Sequence, residues 1–217
     1  MTNFEDAREH MITDQLAARG IRDQRVLDAM RRVPRHAFVP EESRAQAYAD
    51  RAVPIGSGQT ISQPFMVAVM TEALLLKGTE RVLEVGTGSG YQAAILAELA
   101  CDVISIERRP ELAESARTAL AARGYTNIRV IVGDGTVGYP SAQPFDGILV
   151  TAGAPRVPES LRQQLSATGG RLVIPIGPPE LQRLAVIVRD ENRFSQSLRE
   201  NCVFVPLVGA EAWPGGG

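Results

Sequence analysis

The stretch VLEVGTGSGYQAAIL, residues 82–96, places a glycine-rich turn between a short apolar run and a segment of helical composition. Gly86, Gly88 and Gly90 remove side-chain bulk from the turn, so a ligand can approach the backbone closely. A dinucleotide-binding fingerprint has the spacing G-x-G-x-x-G, whereas here the spacing is G-x-G-x-G and Tyr91 occupies the position of the third small residue. The turn therefore predicts the first strand, loop and helix of an α/β sheet, without deciding the ligand by itself.

Strand-like and helix-like segments alternate through the rest of the chain. The apolar, β-branched strand candidates are RVLEVG (81–86), CDVISIE (101–107), IRVIVGD (128–134), FDGILVTAG (145–153) and GRLVIPIG (170–177). Helical compositions lie between most of them, at 91–99, 110–124 and 158–165. This alternation predicts a doubly wound, mostly parallel, Rossmann-like α/β sheet. Two further candidates, RLAVIVR (183–189) and NCVFVPLVG (201–209), lie too close together for a crossover helix and predict an antiparallel C-terminal strand pair.

The chain divides into three predicted regions. Residues 1–62 form an N-terminal helical extension and a substrate-side loop, with one helix ending at Gly20, a second over 23–33 and an irregular stretch after Pro34. Residues 63–209 form the ligand-binding core, whose first helix begins at Pro64. Residues 210–217 are rich in glycine at their end and predict a disordered tail, in which Trp213 packs on a neighbouring surface.

Composition argues against several functional classes. The 25 acidic and 23 basic residues give a net charge of -2, which predicts no nucleic-acid partner and no membrane partner. Cys101 and Cys202 form no CxxC motif, and the polar, acidic N-terminus is unlike a signal peptide, so a cytoplasmic location is expected. His10 and His36 lie far apart in the sequence, so neither a metal site nor a catalytic triad has the residues that it needs. No metal is predicted. The oligomeric state stays open, with a monomer slightly favoured.

Acidic residues lie near the carboxyl ends of three predicted strands. They are Glu84, Glu107 and Asp134, and the last is followed by Gly135. S-adenosylmethionine carries a net positive charge, whereas a dinucleotide brings negative phosphates, so an acid-lined edge favours S-adenosylmethionine. Glu107 is expected to accept from the ribose hydroxyls and Asp134 from the adenine amino group. Any one of these acids alone could equally complement a helix dipole or lie solvated in a loop.

Several segments resemble the protein-L-isoaspartate O-methyltransferases. The core of that family is similar to VLEVGTGSGYQAAIL (82–96), GDGTVGYP (133–140), PFDGILVTAGAP (144–155) and GGRLVIPIG (169–177). Its distinguishing segments are similar to FVPEE (38–42), VPIGSGQTISQPFMVA (53–68) and FVPLVG (204–209). The resemblance implies transfer of a methyl group from S-adenosylmethionine to the free carboxylate of L-isoaspartyl residues in damaged proteins and peptides. Candidate cofactor residues are Glu84, Gly86, Thr87, Gly88, Gly90, Glu107, Asp134, Gly135 and Thr151.

The segment GQTISQP, residues 58–64, supplies uncharged hydrogen-bonding groups where a catalytic base is absent. A carboxylate is already ionised at neutral pH, so its methylation needs orientation and exclusion of water rather than a general base. The resemblance assigns the active-site serine to Ser62. From the residues themselves Thr60 is the second candidate, and Gln59 and Gln63 are weaker ones. A serine before a helix start is also typical of an N-cap, and Thr151 could equally be a turn-forming threonine.

Two other functions remain open from the sequence. One is a methyltransferase that modifies an aspartate of one dedicated peptide during its maturation. The other is a non-catalytic S-adenosylmethionine-binding module, although the glycine turn and TISQP are both intact. Departures from the family pattern are Thr136, where an aromatic residue is more usual, and the proline-rich segment IGPPELQR (176–183). They leave the shape of the adenine-side loop open.

Overall fold

The computed structural model of the protein describes residues 3–214. The N-terminal extension begins with helix α1 (Phe4–His10), whose first turn is capped by the Asn3 side chain, and continues as a π-helical turn and a 3₁₀ turn as far as Gly20. Gly20 adopts φ 103°, a left-handed conformation that ends the helix. Helix α2 (Gln24–Arg32) follows and stops before Pro34. Both predicted helices are therefore present.

The stretch after Pro34 is ordered and largely irregular, as its prolines and glycines predict. It contains 3₁₀ helices at Arg35–Phe38 and Glu41–Gln46, and then a small antiparallel hairpin that the sequence did not predict. The hairpin consists of β1 (Val53–Gly56) and β2 (Gln59–Ile61), with positive φ angles at positions 56, 57 and 58 in its tight turn. Helix α3 (Pro64–Leu74) starts directly after it, with proline in its first turn.

A seven-stranded sheet forms the centre of the molecule. In chain order its elements are β3 (Arg81–Val85), α4 (Tyr91–Ala97), β4 (Asp102–Glu107), α5 (Pro110–Ala121), β5 (Ile128–Val132), β6 (Gly147–Val150), α6 (Glu159–Gln163), β7 (Thr168–Ile176), β8 (Gln182–Asp190) and β9 (Arg193–Cys202). The strand order is β5-β4-β3-β6-β7-β8-β9, and β3 through β7 run parallel. The direction of winding reverses at β3, which pairs with both β4 and β6, so the glycine turn after β3 lies at the switch point where such sheets bind ligands.

The antiparallel end of the sheet confirms the predicted fold class but corrects one strand. β8 pairs antiparallel with β7 and with β9, so the second strand of the C-terminal pair is Arg193–Cys202 and not residues 201–209. The chain reverses immediately after Asp190, with Glu191 at φ 52°, and this places β9 earlier than predicted. The apolar segment that had suggested a strand instead runs beside Gly153, which exchanges backbone hydrogen bonds with Val205 and Leu207 at 2.8 Å each.

The sheet is covered on both faces by apolar side chains. Val82, Val103 and Leu149 face one hydrophobic cluster, which includes α3 and α4, whereas the neighbouring Leu83 and Ile104 face a second cluster that includes α6. This alternation buries both faces, as expected of a parallel sheet between helices. Within residues 3–214 no helix is long and apolar enough to span a bilayer.

Part of the predicted tail is ordered. The Trp213 backbone N–H donates to Leu207 O at 3.0 Å, and its indole Nε1 donates to Gly153 O at 3.1 Å. The Glu211 carboxylate accepts from the Ser160 backbone N–H at 2.9 Å. These contacts fix residues 210–214 on the core, so the prediction of disorder from residue 210 is wrong for them; residues 215–217 lie outside the described residues.

Candidate active site

A cavity of about 630 Å³ opens at the carboxyl ends of β3 and β4. It lies between the glycine turn, the β1–β2 hairpin, the start of α5 and the segment after β9. Four stretches supply most of its walls, namely residues 59–62, 85–89, 106–111 and 205–208, with Val67, Tyr91, Gln92, Gly135, Thr151 and Ala152 between them. The cavity therefore brings the two most distinctive sequence segments, GQTISQP and the glycine turn, into one site.

The glycine turn is held in shape by Thr151. Gly86 and Gly88 have φ angles of 97° and 52°, and a Cβ placed on Gly86 would lie 2.3 Å from Thr151 Oγ1, so only glycine fits. Thr151 Oγ1 donates to Gly86 O at 2.6 Å, and Thr151 also lines the cavity. Gly90 adopts φ 86° as the N-cap residue of α4 and does not line the cavity. The threonine thus closes one side of the cavity and fixes the turn beside it.

Glu107 lines the cavity with its carboxylate already oriented. Only 7% of the residue is exposed, and its two carboxylate oxygens accept from Gly88 N and Arg109 N at 2.9 Å each. A carboxylate offers about four acceptor sites, so both oxygens retain capacity for further donors. The side chain therefore presents a fixed pair of acceptors to any ligand with adjacent hydroxyl groups.

Glu84 does not reach the cavity. It is fully buried, and its Oε2 accepts a hydrogen bond from Ser105 Oγ, which in turn lies 2.5 Å from Thr87 Oγ1. Thr87 lines the cavity, so Glu84 touches the site only through two hydroxyls. Burial, together with the nearby charge of Glu107, raises the pKa of Glu84 to about 8 against the opposing hydrogen bond from Ser105. At neutral pH the carboxyl group is therefore mostly neutral.

Asp134 also stands behind the cavity wall, while Gly135 lines it. Asp134 accepts from the Thr136 backbone N–H at 2.9 Å and from the Ala210 backbone N–H at 2.8 Å. Partial burial works to raise the pKa of Asp134, but these hydrogen bonds outweigh it and hold the pKa below its usual value. A Cβ on Gly135 would lie 2.4 Å from Val85 Cγ1, which explains a glycine at this wall position. In this structure Asp134 fastens the C-terminal segment to the loop after β5.

Strand β2 and the residue after it supply three uncharged polar residues to the cavity lining, Gln59, Thr60 and Ser62. Ser62 is not a helix cap, because Gln63 is the N-cap residue of α3 and no side chain accepts from the first turn. Among the described residues the Ser62 hydroxyl has no hydrogen-bond partner, although its carbonyl oxygen accepts from Arg35 Nη2 at 2.7 Å. The Gln63 side chain instead donates to Asp50 Oδ1 at 2.9 Å and does not line the cavity.

Sequence reasoning missed several contributors to the site. Arg35 is fully buried behind Ser62, and the segment 205–208, interpreted as strand, forms a wall. Of the three predicted acids only Glu107 lines the cavity, and Arg108 and Arg109 lie beside it, so the rim carries both signs of charge. The adjacent basic pair in ERRPE, residues 107–111, was the available signal for that mixed charge.

The chemistry of the lining groups limits what the cavity can catalyse. Among residues 3–214, its lining contains no histidine, cysteine or aspartate. His10 lies on the surface 2.8 Å from Asp14, and His36 stacks on Phe4 with its Nδ1 2.9 Å from the Tyr48 hydroxyl. The site therefore offers uncharged donors at residues 59–62 and charged groups of both signs at the rim, without a histidine base, which suits a reaction whose nucleophile is already ionised.

Comparison with known proteins gives a consistent relationship over the whole chain. The family model described as "Protein-L-isoaspartate(D-aspartate) O-methyltransferase" matches residues 6–212. A protein-L-isoaspartate O-methyltransferase of Marinobacter nauticus is 57% identical over 214 residues, covering 98% of this chain and 97% of the relative. One of Methanoculleus marisnigri is 55% identical over 208 residues, covering 96% and 94% respectively.

Solved structures show the same relationship. A protein-L-isoaspartate O-methyltransferase superposes with a TM-score of 0.84 at 28% identity, covering 94% of this chain and 67% of its own. A second, from Plasmodium falciparum and described as a putative protein-L-isoaspartate O-methyltransferase in complex with S-adenosyl-L-homocysteine, has a TM-score of 0.81 at 28% identity. That match covers 96% of this chain and 99% of the other.

Proposed function

The chain belongs to the protein-L-isoaspartate(D-aspartate) O-methyltransferase family, and from that premise we propose that Ser62 and Thr60 orient the substrate carboxylate in the cavity beside the glycine turn. The activity is S-adenosylmethionine-dependent methylation of the free carboxylate of L-isoaspartyl residues, which initiates repair of damaged proteins. The observation that supports this proposal is that Ser62 lines the cavity, while its hydroxyl caps no helix and has no partner among the described residues.

The residues at the carboxyl ends of β3 and β4 fit the cofactor. The positive φ angles of Gly86 and Gly88 leave a backbone cradle that a side chain would fill, and Glu107 offers two anchored acceptors beside it. Thr87, Gly135 and the other lining residues close the walls. When bound there, S-adenosylmethionine supplies a methyl group on a positively charged sulfur. The role of Glu107 is to accept from vicinal ribose hydroxyls, as the acid after the second strand does in related folds.

The hairpin supplies the substrate side of the site. A carboxylate is ionised at neutral pH and is itself the nucleophile, so the protein has to hold one oxygen in line and exclude water. Hydroxyl donors on Ser62 and Thr60 orient the carboxylate at less cost to its nucleophilicity than a fixed cation on the oxygens. No proton transfer from the carboxylate is needed, which agrees with the absence of a histidine or aspartate from the described lining.

Backbone recognition accounts for tolerance of many substrate sequences. The lining near the hairpin combines the polar residues Gln59, Thr60 and Ser62 with apolar residues at 61 and 205–208. Short hydroxyls and peptide groups can bind a carboxylate and an extended backbone without a deep pocket for a neighbouring side chain. We therefore expect the enzyme to act on isoaspartyl residues in unrelated flanking sequences.

The function is tested with twin peptides that differ only in the isoaspartyl linkage. Labelled methyl transfer from S-adenosylmethionine should be strong for the isoaspartyl peptide and weak for its aspartyl twin, in at least three unrelated sequence contexts. Equal rates on the twins would contradict the assignment. Activity on one sequence alone would favour an enzyme dedicated to a single maturing peptide.

Location and partners follow from composition. We place the enzyme in the cytoplasm, because Cys101 and Cys202 are both free thiols and a reducing compartment keeps them so. We expect no nucleic-acid partner, because the net charge of -2 gives the protein no overall attraction to a polyanion. Cell fractionation with an antibody to the native protein checks the location, and recovery in an oxidising compartment would contradict it.

A further inference from the structure

Arg35 is a fully buried cation placed directly behind Ser62. It begins the 3₁₀ helix Arg35–Phe38 and has no exposed surface. Its Nε donates to Ala47 O at 2.6 Å and its Nη2 donates to Ser62 O at 2.7 Å. The guanidinium carbon also lies 5.0 Å from the ring centroid of Tyr91, the first residue of α4 after the glycine turn. One side chain thus joins the hairpin region to the helix that follows the glycine turn.

The charge of this arginine has no acidic partner within the described residues. Burial lowers the pKa of Arg35 to about 10, which still leaves the guanidinium protonated at neutral pH. A buried charge without a counterion is costly, and a well-packed apolar residue of similar volume is often at least as stabilising. Stability alone therefore does not explain an arginine at this position. Its rigid guanidinium can donate to two carbonyl oxygens at once, which an apolar residue cannot do.

Arg35 contacts Ser62 through its backbone carbonyl. Ser62 lines the cavity, its hydroxyl has no partner among the described residues, and α3 starts after it without a side-chain cap. The Arg35 hydrogen bond is the side-chain contact that holds its carbonyl oxygen. A shift of this bond would move the hydroxyl relative to the glycine turn.

We propose that Arg35 is a positioning residue for methyl transfer, whose guanidinium fork holds Ser62 in register with the cofactor side of the cavity. The proposal rests on the role given to Ser62 above. Arg35 itself does not line the cavity and touches no reacting atom. Because displacement of a reacting group by about 1 Å can cost about a hundredfold in rate, loss of the fork should act on kcat more than on binding.

Arg123, which is partly buried, provides a control for losing an arginine that bridges two carbonyl oxygens. Its Nη1 donates to Ala119 O at 2.6 Å, its Nη2 donates to Ala37 O at 3.2 Å, and its guanidinium lies 4.8 Å from the ring centroid of Phe38. It thus bridges two carbonyl oxygens and packs on an aromatic ring, as Arg35 does. Arg123 does not line the cavity and contacts none of the residues assigned to it.

The experiment compares Arg35→Lys and Arg35→Gln with Arg123→Lys. For each variant kcat and KM are measured on an isoaspartyl peptide, cofactor affinity by calorimetry, and folding by thermal melting, with rates normalised to cofactor-binding sites. Arg35→Lys should lower kcat by about ten- to a hundredfold and leave cofactor affinity within about twofold. Arg123→Lys should keep kcat within about twofold. Wild-type kcat in a folded Arg35→Lys variant, or equal losses in the Arg35 and Arg123 variants, would overturn the proposal.

A double-mutant cycle with Ser62→Ala separates positioning from general damage. If Arg35 acts through Ser62, Arg35→Lys should lower kcat by less than about threefold when Ser62 is already replaced by alanine. With Ser62 present, the same substitution should lower kcat by about tenfold or more. Independent, multiplicative losses would overturn the positioning role while leaving Ser62 in the site. A fully active Ser62→Ala enzyme would refute the Ser62 assignment itself. Failure of both Arg35 variants to fold would overturn the proposal in favour of a purely structural role.

Discussion

Replacing Glu107 by glutamine should weaken cofactor binding while preserving the fold. The carboxylate accepts from Gly88 N and Arg109 N at 2.9 Å each, one donor to each oxygen. A glutamine amide has one acceptor oxygen, so its NH₂ group would face one of these two backbone donors. The side chain must then rotate or leave a donor unpaired, and the ligand loses both the negative charge and the fixed pair of acceptors.

The expected loss follows from the energy of a charge-assisted hydrogen bond. Such bonds are worth about 1.5–3 kcal/mol, and about 1.4 kcal/mol corresponds to a tenfold change in affinity. Glu107→Gln should therefore raise the Kd for S-adenosylmethionine by about ten- to a hundredfold, measured by calorimetry at constant pH and salt. A folded variant with wild-type affinity would refute the assignment of the ribose site.

Glu111 supplies the matched control for this measurement. It is a second acid on the cavity rim, with a side chain that is 58% exposed, and it contacts Ser57 Oγ at 3.2 Å and Arg109 at 3.9 Å. Exposed ion pairs contribute about 0–1 kcal/mol, so Glu111→Gln should change the cofactor Kd by no more than about fivefold. Equal losses in the two variants would indicate a general effect of rim charge in place of a specific contact by Glu107.

Two further predictions concern the turn and the buried acid behind it. Gly86→Ala should abolish measurable cofactor binding and lower the melting temperature, because its Cβ would lie 2.3 Å from Thr151 Oγ1 at φ 97°; a variant that binds normally would contradict the packing described. Since burial raises the pKa of Glu84 to about 8, above its value in the unfolded chain, its protonated form favours folding, and this contribution declines as pH rises from about 5 to about 8. The free energy of unfolding of Glu84→Gln, measured by denaturant titration, should therefore rise relative to that of the wild type over that pH interval. A difference that does not change with pH would refute the raised pKa of Glu84.

Local periodicity predicted most of the core because strands β3 to β7 are short, apolar and bounded by helices. It failed at β9 because that strand, RFSQSLRENC, is a largely exposed edge with polar residues on both faces. The apolar residues after Cys202 were taken for the strand, but they pack against Gly153 and the cavity. An exposed edge strand has few apolar residues, so its sequence pattern does not indicate a strand. A segment that lines a cavity can be as apolar as a strand without pairing in the sheet.

The site was predictable where the residue type alone determines its position. Gly86 and Gly88, Glu107, and Thr60 with Ser62 line one cavity, as the motifs indicated. Glu84 lies behind the cavity wall because its face of β3 is covered by helices, so its side chain is buried. Arg35 was missed because its partner Ser62 lies 27 residues away, and no local pattern encodes that contact.

The central claim is that the Ser62 hydroxyl orients the substrate carboxylate, and one rate comparison tests it most directly. Initial rates on an isoaspartyl peptide are measured for Ser62→Ala and for Gln63→Ala, whose side chain faces Asp50 outside the cavity. Ser62→Ala should lower kcat/KM by about ten- to a thousandfold, with cofactor affinity retained. Because Ser62 caps no helix, its free energy of unfolding should change by less than about 0.5 kcal/mol. Gln63→Ala should keep the wild-type rate per folded molecule. A Ser62→Ala enzyme as active as Gln63→Ala would contradict the account.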